Sequence, residues 1–245
     1  MIRVLVNGAG GRMGKTVTAM VNDDPDMEVC AKVDAFGDPE NGFITDINDF
    51  NGECDVVIDF SFHTSAPALM AWCVKNGVPA VVATTGHTDE EKQAIDAAAE
   101  KVAIFQSANM SVGIALLNRL VKQASEVFPN AEVEIIEAHH DQKADAPSGT
   151  ALMLADTVKE THPDATYKFG RQGQCKRTAE EIGIHSLRMG NVTGQHEVIF
   201  ATPSQTIYLK HEAHDRSLFA DGAIAAAKFI IGKGPGRYNM EDLLG

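Results

Sequence analysis

Two adjacent histidines, His139 and His140, lie close to Lys143 and to the run Ser148-Gly149-Thr150 in this chain of 245 residues. A histidine titrates near neutrality, which suits it to general acid catalysis. Lys143 is a compact cation able to neutralise a carboxylate or to give up a proton. Ser148, Gly149 and Thr150 offer hydroxyls and backbone amides where a helix can start, and such a terminus cradles anions. A metal is not expected. Successive side chains of an extended segment point to opposite faces, and neither a His pair at i,i+4 nor a nearby Cys pair is present. The chemistry to look for is the holding and protonation of a small anion. Taken alone, the same residues equally describe a surface loop whose histidines cap a strand.

The elements that must position these groups are legible on either side. Residues 132–137 alternate polar and apolar, the pattern of a half-buried strand. A helix is expected over 149–160, with Ser148 as its N-cap. The titratable groups therefore stand at a strand end facing the positive end of a helix.

The first 106 residues alternate strand and helix. Strands are expected at 2–6, 28–33, 56–60, 80–83 and 102–105, with helices at 15–21, 65–75 and 88–101. Apolar strands separated by helices imply a parallel sheet covered on both faces. After residue 111 the rhythm changes to a long helix at 112–128, the strand before His139, an irregular polar stretch at 162–178, and strands at 182–189, 196–201 and 206–211. A closing helix at 218–231 is expected to return to the first domain. The fold class is therefore α/β, a Rossmann-type dinucleotide domain (1–108 and 217–245) carrying an inserted α+β mixed-sheet domain (109–216).

Between the first strand and first helix runs Gly8-Ala9-Gly10-Gly11-Arg12-Met13-Gly14. Glycines at such a turn let backbone amides approach a pyrophosphate. The spacing departs from G-x-G-x-x-G, because Met13 stands where the third glycine would fall. Asp34 ends the second strand, where an acidic side chain accepts from ribose hydroxyls. Arg12 suits an adenosine 2′-phosphate, which Asp34 would repel. Ala83, Thr84 and Thr85 follow the fourth strand, and Ser107, Ala108, Asn109 and Met110 follow the fifth, all at the edge where such sheets bind ligands.

Composition narrows the partners. A chain with 44% hydrophobic and 22% charged residues buries a substantial core. The net charge of −13 disfavours nucleic acid and anionic membranes. Cys30, Cys54, Cys73 and Cys175 form no CxxC pair, as expected of reduced thiols. No apolar run reaches spanning length and the opening apolar run is too short for a signal peptide, so a soluble cytoplasmic protein is expected.

The glycine turn, Thr84-Thr85-Gly86, Asn109-Met110-Ser111-Val112-Gly113, and the block from Glu137-Ala138-His139-His140 through Lys143 to Ala146-Pro147-Ser148-Gly149-Thr150-Ala151 together resemble the bacterial 4-hydroxy-tetrahydrodipicolinate (dihydrodipicolinate) reductases. The resemblance runs from residue 2 to the end, and the His-His block is its most specific part. It implies a nicotinamide-dependent enzyme of the diaminopimelate route to lysine, in two domains and usually a homotetramer. It implies His139 as proton donor, Lys143 as second donor and substrate contact, and His140, Gly149 and Thr150 as ligands of a heterocyclic dicarboxylate. NADH or NADPH would lie on Gly8 to Met13, Asp34, Ala83 to Thr85 and Ser107 to Met110.

Three departures from the family pattern stand out. Asp141-Gln142 replaces a frequent basic residue and third histidine, Ala83 replaces a frequent glycine, and Asp34 is followed by Ala35-Phe36 instead of an arginine. The last leaves NADH and NADPH both open. Other two-domain dehydrogenases and a nucleotide-sensing regulator share the first half of the pattern but do not need the His-His-x-x-Lys block. The sequence assigns no role to His185, His196, His211 or His214. Arg188 suits either a substrate carboxylate or a salt bridge within the sheet.

Overall fold

The computed structural model describes residues 1–245. In chain order the elements run β1 (Ile2–Asn7), α1 (Arg12–Asp23), β2 (Met27–Val33), β3 (Phe43–Ile44), β4 (Val56–Asp59), α2 (Ala66–Asn76), β5 (Ala80–Val82), α3 (Asp89–Ala99), β6 (Ala103–Gln106) and α4 (Val112–Val127). They continue with β7 (Glu132–His139), α5 (Gly149–Thr161), β8 (Thr166–Phe169), β9 (Glu181–Arg188), β10 (Gly194–Thr202), β11 (Gln205–Ala213), α6 (Ser217–Ile230), β12 (Gly236–Tyr238) and α7 (Met240–Leu244). The chain divides into two compact units, Met1–Val112 with Ser217–Gly245, and Gly113–Arg216. The first unit thus runs through Val112 and resumes at Ser217.

In the first unit all seven strands are parallel, in the order β12-β6-β5-β4-β1-β2-β3. The order reverses between β1 and β4, and the crevice at the carboxyl ends there is where such sheets take ligands. Val4, Leu5 and Val6 are all fully buried although they point alternately to the two faces, so helices must cover both. The closing helix α6 packs on α1 and against β4, β5 and β6. α3 opens on a capping box, with Thr88 accepting from Glu91 N and Glu91 accepting from Thr88 N.

The second unit is a mixed sheet, order β11-β10-β7-β9-β8, with its own core of α4, α5 and the inward side chains of β7, β9 and β10. β10 runs antiparallel to β7 and β11, while β9 runs parallel to β7 and β8. The expected irregular stretch at 162–178 contains strand β8, a correction to the sequence reading. Its Thr-Tyr-Lys-Phe run alternates polar and aromatic over only four residues, too short to stand out within the polar stretch, and as an edge strand it is held by pairing with β9. The two- and three-residue edge strands β3 and β12, and α7, were likewise not expected. α1 starts at Arg12, earlier than 15, directly on the glycine turn.

Candidate functional site

At the carboxyl edge of the first unit's sheet, the glycine turn is held by backbone contacts that leave no room for side chains. Gly8 has φ +79°, and a β-carbon there would lie 2.6 Å from the Phe60 carbonyl. A β-carbon on Gly14 would meet the Gly8 oxygen at 2.0 Å, so α1 sits directly against the turn. The amides of Gly8 and Ala9 both donate to Val33 O, at 2.8 and 3.1 Å, which ties the turn to the end of β2. Gly10 N donates to Asp34 Oδ2 at 2.9 Å, and Asp34 Oδ1 accepts from Phe36 N at 2.9 Å. Each carboxylate oxygen keeps a second lone pair for a ligand hydroxyl. Gly11 is the N-cap of α1, Arg12 is its exposed first residue and Met13 is half-buried.

Ala83, Thr85, Ala108, Asn109 and Met110 line a cleft of about 250 Å³ together with Phe60 and Phe219. Thr84 and Ser107 instead brace the loops. Thr84 is buried and donates to Ser61 O at 3.4 Å, and Ser107 Oγ donates to Asn109 O at 2.9 Å. Phe60 was legible as the residue just past β4. Phe219 carried no local signal, because only the return of α6 brings it there. Beneath this edge lies Asp59, 1% exposed, accepting from Asn7 Nδ2 at 2.8 Å and Ser61 Oγ at 2.5 Å. Burial pushes its carboxyl above the usual range, although bonds from Ser61, Thr84 and Asn7 oppose the shift.

In the second unit, register decides which side chains meet. His196 pairs with Glu137 across β10 and β7, and Arg188 pairs with His139 across β9 and β7. Residues two apart on a strand share a face, so Glu137, His139, Arg188 and His196 gather on one face at one end of the sheet. That face is the one α5 covers, and Ser148 caps α5 with its Oγ accepting from Ala151 N at 3.2 Å.

Glu137 is fully buried and is the hub. Arg188 grips it bidentately, Nη2 to Oε1 at 2.7 Å and Nη1 to Oε2 at 2.9 Å. Ser148 N donates to Oε1 at 3.2 Å, and His139 Nδ1 lies 2.6 Å from Oε2. An ionised carboxylate only accepts, so Nδ1 carries a proton. Burial alone would push the Glu137 carboxyl up, but bonds from Arg188, Ser186 and His139 hold it down to about 2. His139, 8% exposed, is pushed below the ordinary histidine value by burial, with Glu137 opposing and Lys143 and Arg188 adding to the shift. His196 stacks edge-on against His139, ring centroids 5.1 Å apart, and its Nε2 lies 3.0 Å from Ser148 Oγ. Burial and the neighbouring His139 lower it to about 4.

Lys143 pairs with Asp145 at 2.9 Å, and Arg188 Nη2 also donates to Asp145 O at 2.6 Å, fastening the turn to the sheet. His140 is half-buried, and its carbonyl accepts from Lys143 N at 3.2 Å. Gly149 is exposed at the first position of α5, and Thr150 follows, half-buried. The structure thus joins His139 and Ser148 through Glu137 and brings in Lys143 through Asp145 and Arg188. It also recruits Glu137, Arg188 and His196, which the sequence reading did not count as site residues. For Glu137 a signal existed, since it stands two residues before His139 on the same strand face. Arg188 forms the salt bridge within the sheet that was one of its two sequence expectations, while the identity of its partner and the place of His196 depended on strand register. His211 pairs with His196 on β11, and His185 bonds Glu134 at 2.7 Å away from this group. His214 gives its carbonyl to Thr193 Oγ1 at 3.2 Å.

No helix is long and apolar enough to cross a membrane, and no cluster of three or more His, Cys, Asp or Glu side chains is arranged to hold a metal ion.

The family model described as dihydrodipicolinate reductase, N-terminus, matches residues 2–110, and its C-terminal counterpart matches residues 113–244. The 4-hydroxy-tetrahydrodipicolinate reductase of Caldanaerobacter subterraneus subsp. tengcongensis is 44% identical, covering 100% of this chain and 98% of the relative. That of Clostridium tetani is 43% identical, covering 100% and 97%. Among solved structures, the dipicolinate-bound dihydrodipicolinate reductase from Paenisporosarcina sp. TG-14 superimposes with a TM-score of 0.78 at 27% identity, covering 98% of this chain and 97% of that one. A buried His-Glu-Arg group beside a helix N-terminus, a parallel sheet with a glycine turn, and matches over the full length agree: the chain belongs to the dihydrodipicolinate reductase family.

Proposed function

We propose that this chain reduces 4-hydroxy-tetrahydrodipicolinate to tetrahydrodipicolinate in the diaminopimelate route to lysine, drawing on NADH or NADPH. The observation that carries the reading is the Glu137–His139–Arg188 group set against the Ser148 cap of α5, a proton donor placed beside an anion cradle. The first unit suits a dinucleotide. A β-carbon at Gly8 or Gly14 would close the turn that a pyrophosphate must approach, and the cleft of about 250 Å³ offers small residues to a flat ring. Gly8, Ala9, Gly10, Gly11, Arg12 and Met13 would hold the phosphates, and Asp34 the ribose. Ala83, Thr85, Ala108, Asn109 and Met110 would frame the ring, on loops that Thr84 and Ser107 brace.

A bound nicotinamide dinucleotide supplies the hydride. The remaining work falls to residues of the second unit. Lys143 neutralises two carboxylates, and the start of α5 at Gly149 and Thr150, set by the Ser148 cap, orients them, with His140 beside them. Lys143 must exchange Asp145 for a substrate carboxylate, which keeps its charge balanced throughout. His139 delivers a proton from Nε2, since Nδ1 is committed to Glu137. The exposed apolar area on the open sheet face, Leu187 at 46% and Tyr208 at 62%, supports assembly into a homotetramer. A small-molecule biosynthetic role and the free cysteines support a cytoplasmic location.

The test is oxidation of NADH and of NADPH with substrate generated in situ by the preceding synthase. Wild type should turn over with at least one of them, and His139→Gln should lower kcat by about 10²-fold or more while KM moves little. Wild-type kcat in the His139→Gln variant would remove His139 as the acid, and no turnover by wild type would remove the reaction.

A further inference from the structure

Nothing in the sequence pattern explains why a fully buried glutamate and an arginine should both be spent on one histidine. A carboxylate alone against an imidazole makes an ion pair, a charged acid that its partner holds back from donating. Here the carboxylate is already neutralised by a bidentate guanidinium, so the imidazole finds a neutral pair and not an anion. The charged and titratable groups around His139 are Glu137 on β7, Arg188 on β9, His196 on β10, and Lys143 and Asp145 on the turn before α5. With His196 neutral, two carboxylates and two cations balance without any contribution from His139. Its Nδ1 is occupied by Glu137. Its Nε2 has no partner within the chain and stands beside Gly194, where a β-carbon would come to 3.2 Å.

We propose that Glu137 and Arg188 are positioning residues: Glu137 fixes the His139 proton on Nδ1, and Arg188, by neutralising Glu137, leaves His139 uncharged with its lone pair on Nε2 until a dianionic dicarboxylate binds and Nε2 takes up the catalytic proton from solvent. The inference rests on the reading of His139 as the proton donor. Two substrate carboxylates entering beside Lys143 add negative charge where the unliganded group has none to spare, and protonation of Nε2 restores the balance. The lowered proton affinity of His139 in the unliganded protein agrees with this order. After donation the imidazole returns to its neutral form, still bonded to Glu137 through Nδ1.

The experiment is calorimetric binding of pyridine-2,6-dicarboxylate to the full-length protein near pH 7.5, in buffers of different ionisation enthalpy. Wild type should take up a fraction of a proton approaching one per site, and His139→Gln should bind with that uptake lost. Wild-type binding without proton uptake would overturn the inference, as would uptake that survives in His139→Gln. Two variants test the positioning pair by NMR titration of the His139 ring in the unliganded protein. Glu137→Gln should lower its pKa further, and Arg188→Met should raise it, because Glu137 then faces His139 alone. Arg188→Lys, which keeps the charge, should restore the wild-type titration. An unchanged His139 titration in both Glu137→Gln and Arg188→Met would overturn the pair's role. Should either variant fail to fold, the wild-type proton count still decides. Loss of kcat in His139→Gln without proton uptake by wild type would sink this inference and leave the proposed reaction standing.

Discussion

His139 is the point at which local chemistry can be read as kinetics. Its acid form must deliver the proton, so rate is present at low pH and lost as pH rises through the relevant pKa. In the free protein that pKa is held below the ordinary histidine value by burial, with Lys143 and Arg188 adding to the shift. The basic limb of kcat/KM, which reports the free enzyme, should therefore lie below the ordinary histidine range. The limb of kcat, which reports the complex with a bound dianion, should lie at higher pH. Steady-state rates across pH check this, and coincident limbs would show that substrate leaves His139 unperturbed. A second prediction concerns Asp145, which holds Lys143 at 2.9 Å from a largely exposed position. A substrate carboxylate must displace it. Asp145→Asn keeps the backbone carbonyl that Arg188 uses but removes the competing charge, so KM should fall about two- to fivefold, the range of an exposed ion pair. An unchanged or higher KM would mean that Asp145 helps to position Lys143 and does not compete for it.

Among the elements, the contact between α1 and the glycine turn leaves no room for a side chain. A β-carbon at Gly14 would stand 2.0 Å from Gly8 O, and backbone cannot yield as a flexible side chain does. Gly14→Ala should lower stability by about 1–3 kcal/mol and weaken NADH binding measured by calorimetry, because α1 must lift off the turn. Full-strength binding would show that the turn can shift without loss. The same element shows what was legible beforehand. Strand, glycine turn, helix and terminal acid are local signals, and each could be read in order from residues 2–34. The His-His block was equally plain, since Ser148 announces its helix and Lys143 its charge. What escaped were features that arise only when distant segments pair. β8 is a four-residue edge strand held by its pairing with β9, and Phe219 takes its place in the cleft from the expected return of α6, which did not by itself single that side chain out. Arg188 and His196 join His139 through register, one strand to each side, over separations in sequence that no spacing rule spans. Glu137 lay in plain view two residues from His139, and its role became visible only with the arginine that neutralises it.

For the whole molecule, the same buried groups set how the two units respond to acid. His196 is neutral in the fold and lowered to about 4, while an unfolded histidine titrates near 6.5, so the unfolded chain binds more protons between those values. Stability of the second unit is therefore lost as pH falls from 6.5 toward 4, by roughly 3 kcal/mol from this group. Glu137, held down to about 2, adds a loss of similar order as pH falls from about 4.5 toward 2, because its ionised form is the one that Arg188 and His139 bind. Asp59 in the first unit works in the opposite sense. Burial raises its folded pKa, so the folded state takes up a proton more readily than the unfolded chain and gains stability on acidification. The Arg3–Asp55 pair on the same unit loses its attraction in acid, but it is about a third exposed and solvent weakens its share. The balance predicts that residues 113–216 open first on acidification, while the parallel-sheet unit holds. Hydrogen exchange followed by mass spectrometry at pH 7 and near pH 4.5 would resolve the two, with protection falling first along β7, β9 and β10. Earlier loss along β1, β4 and β5, or simultaneous loss in both units, would mean that the buried His139 group does not govern acid stability. Protection lost first in the second unit would connect one cluster of side chains to both the chemistry and the fragility of the fold, since neutral His196 and ionised Glu137 are also the states that hold His139 ready for its proton.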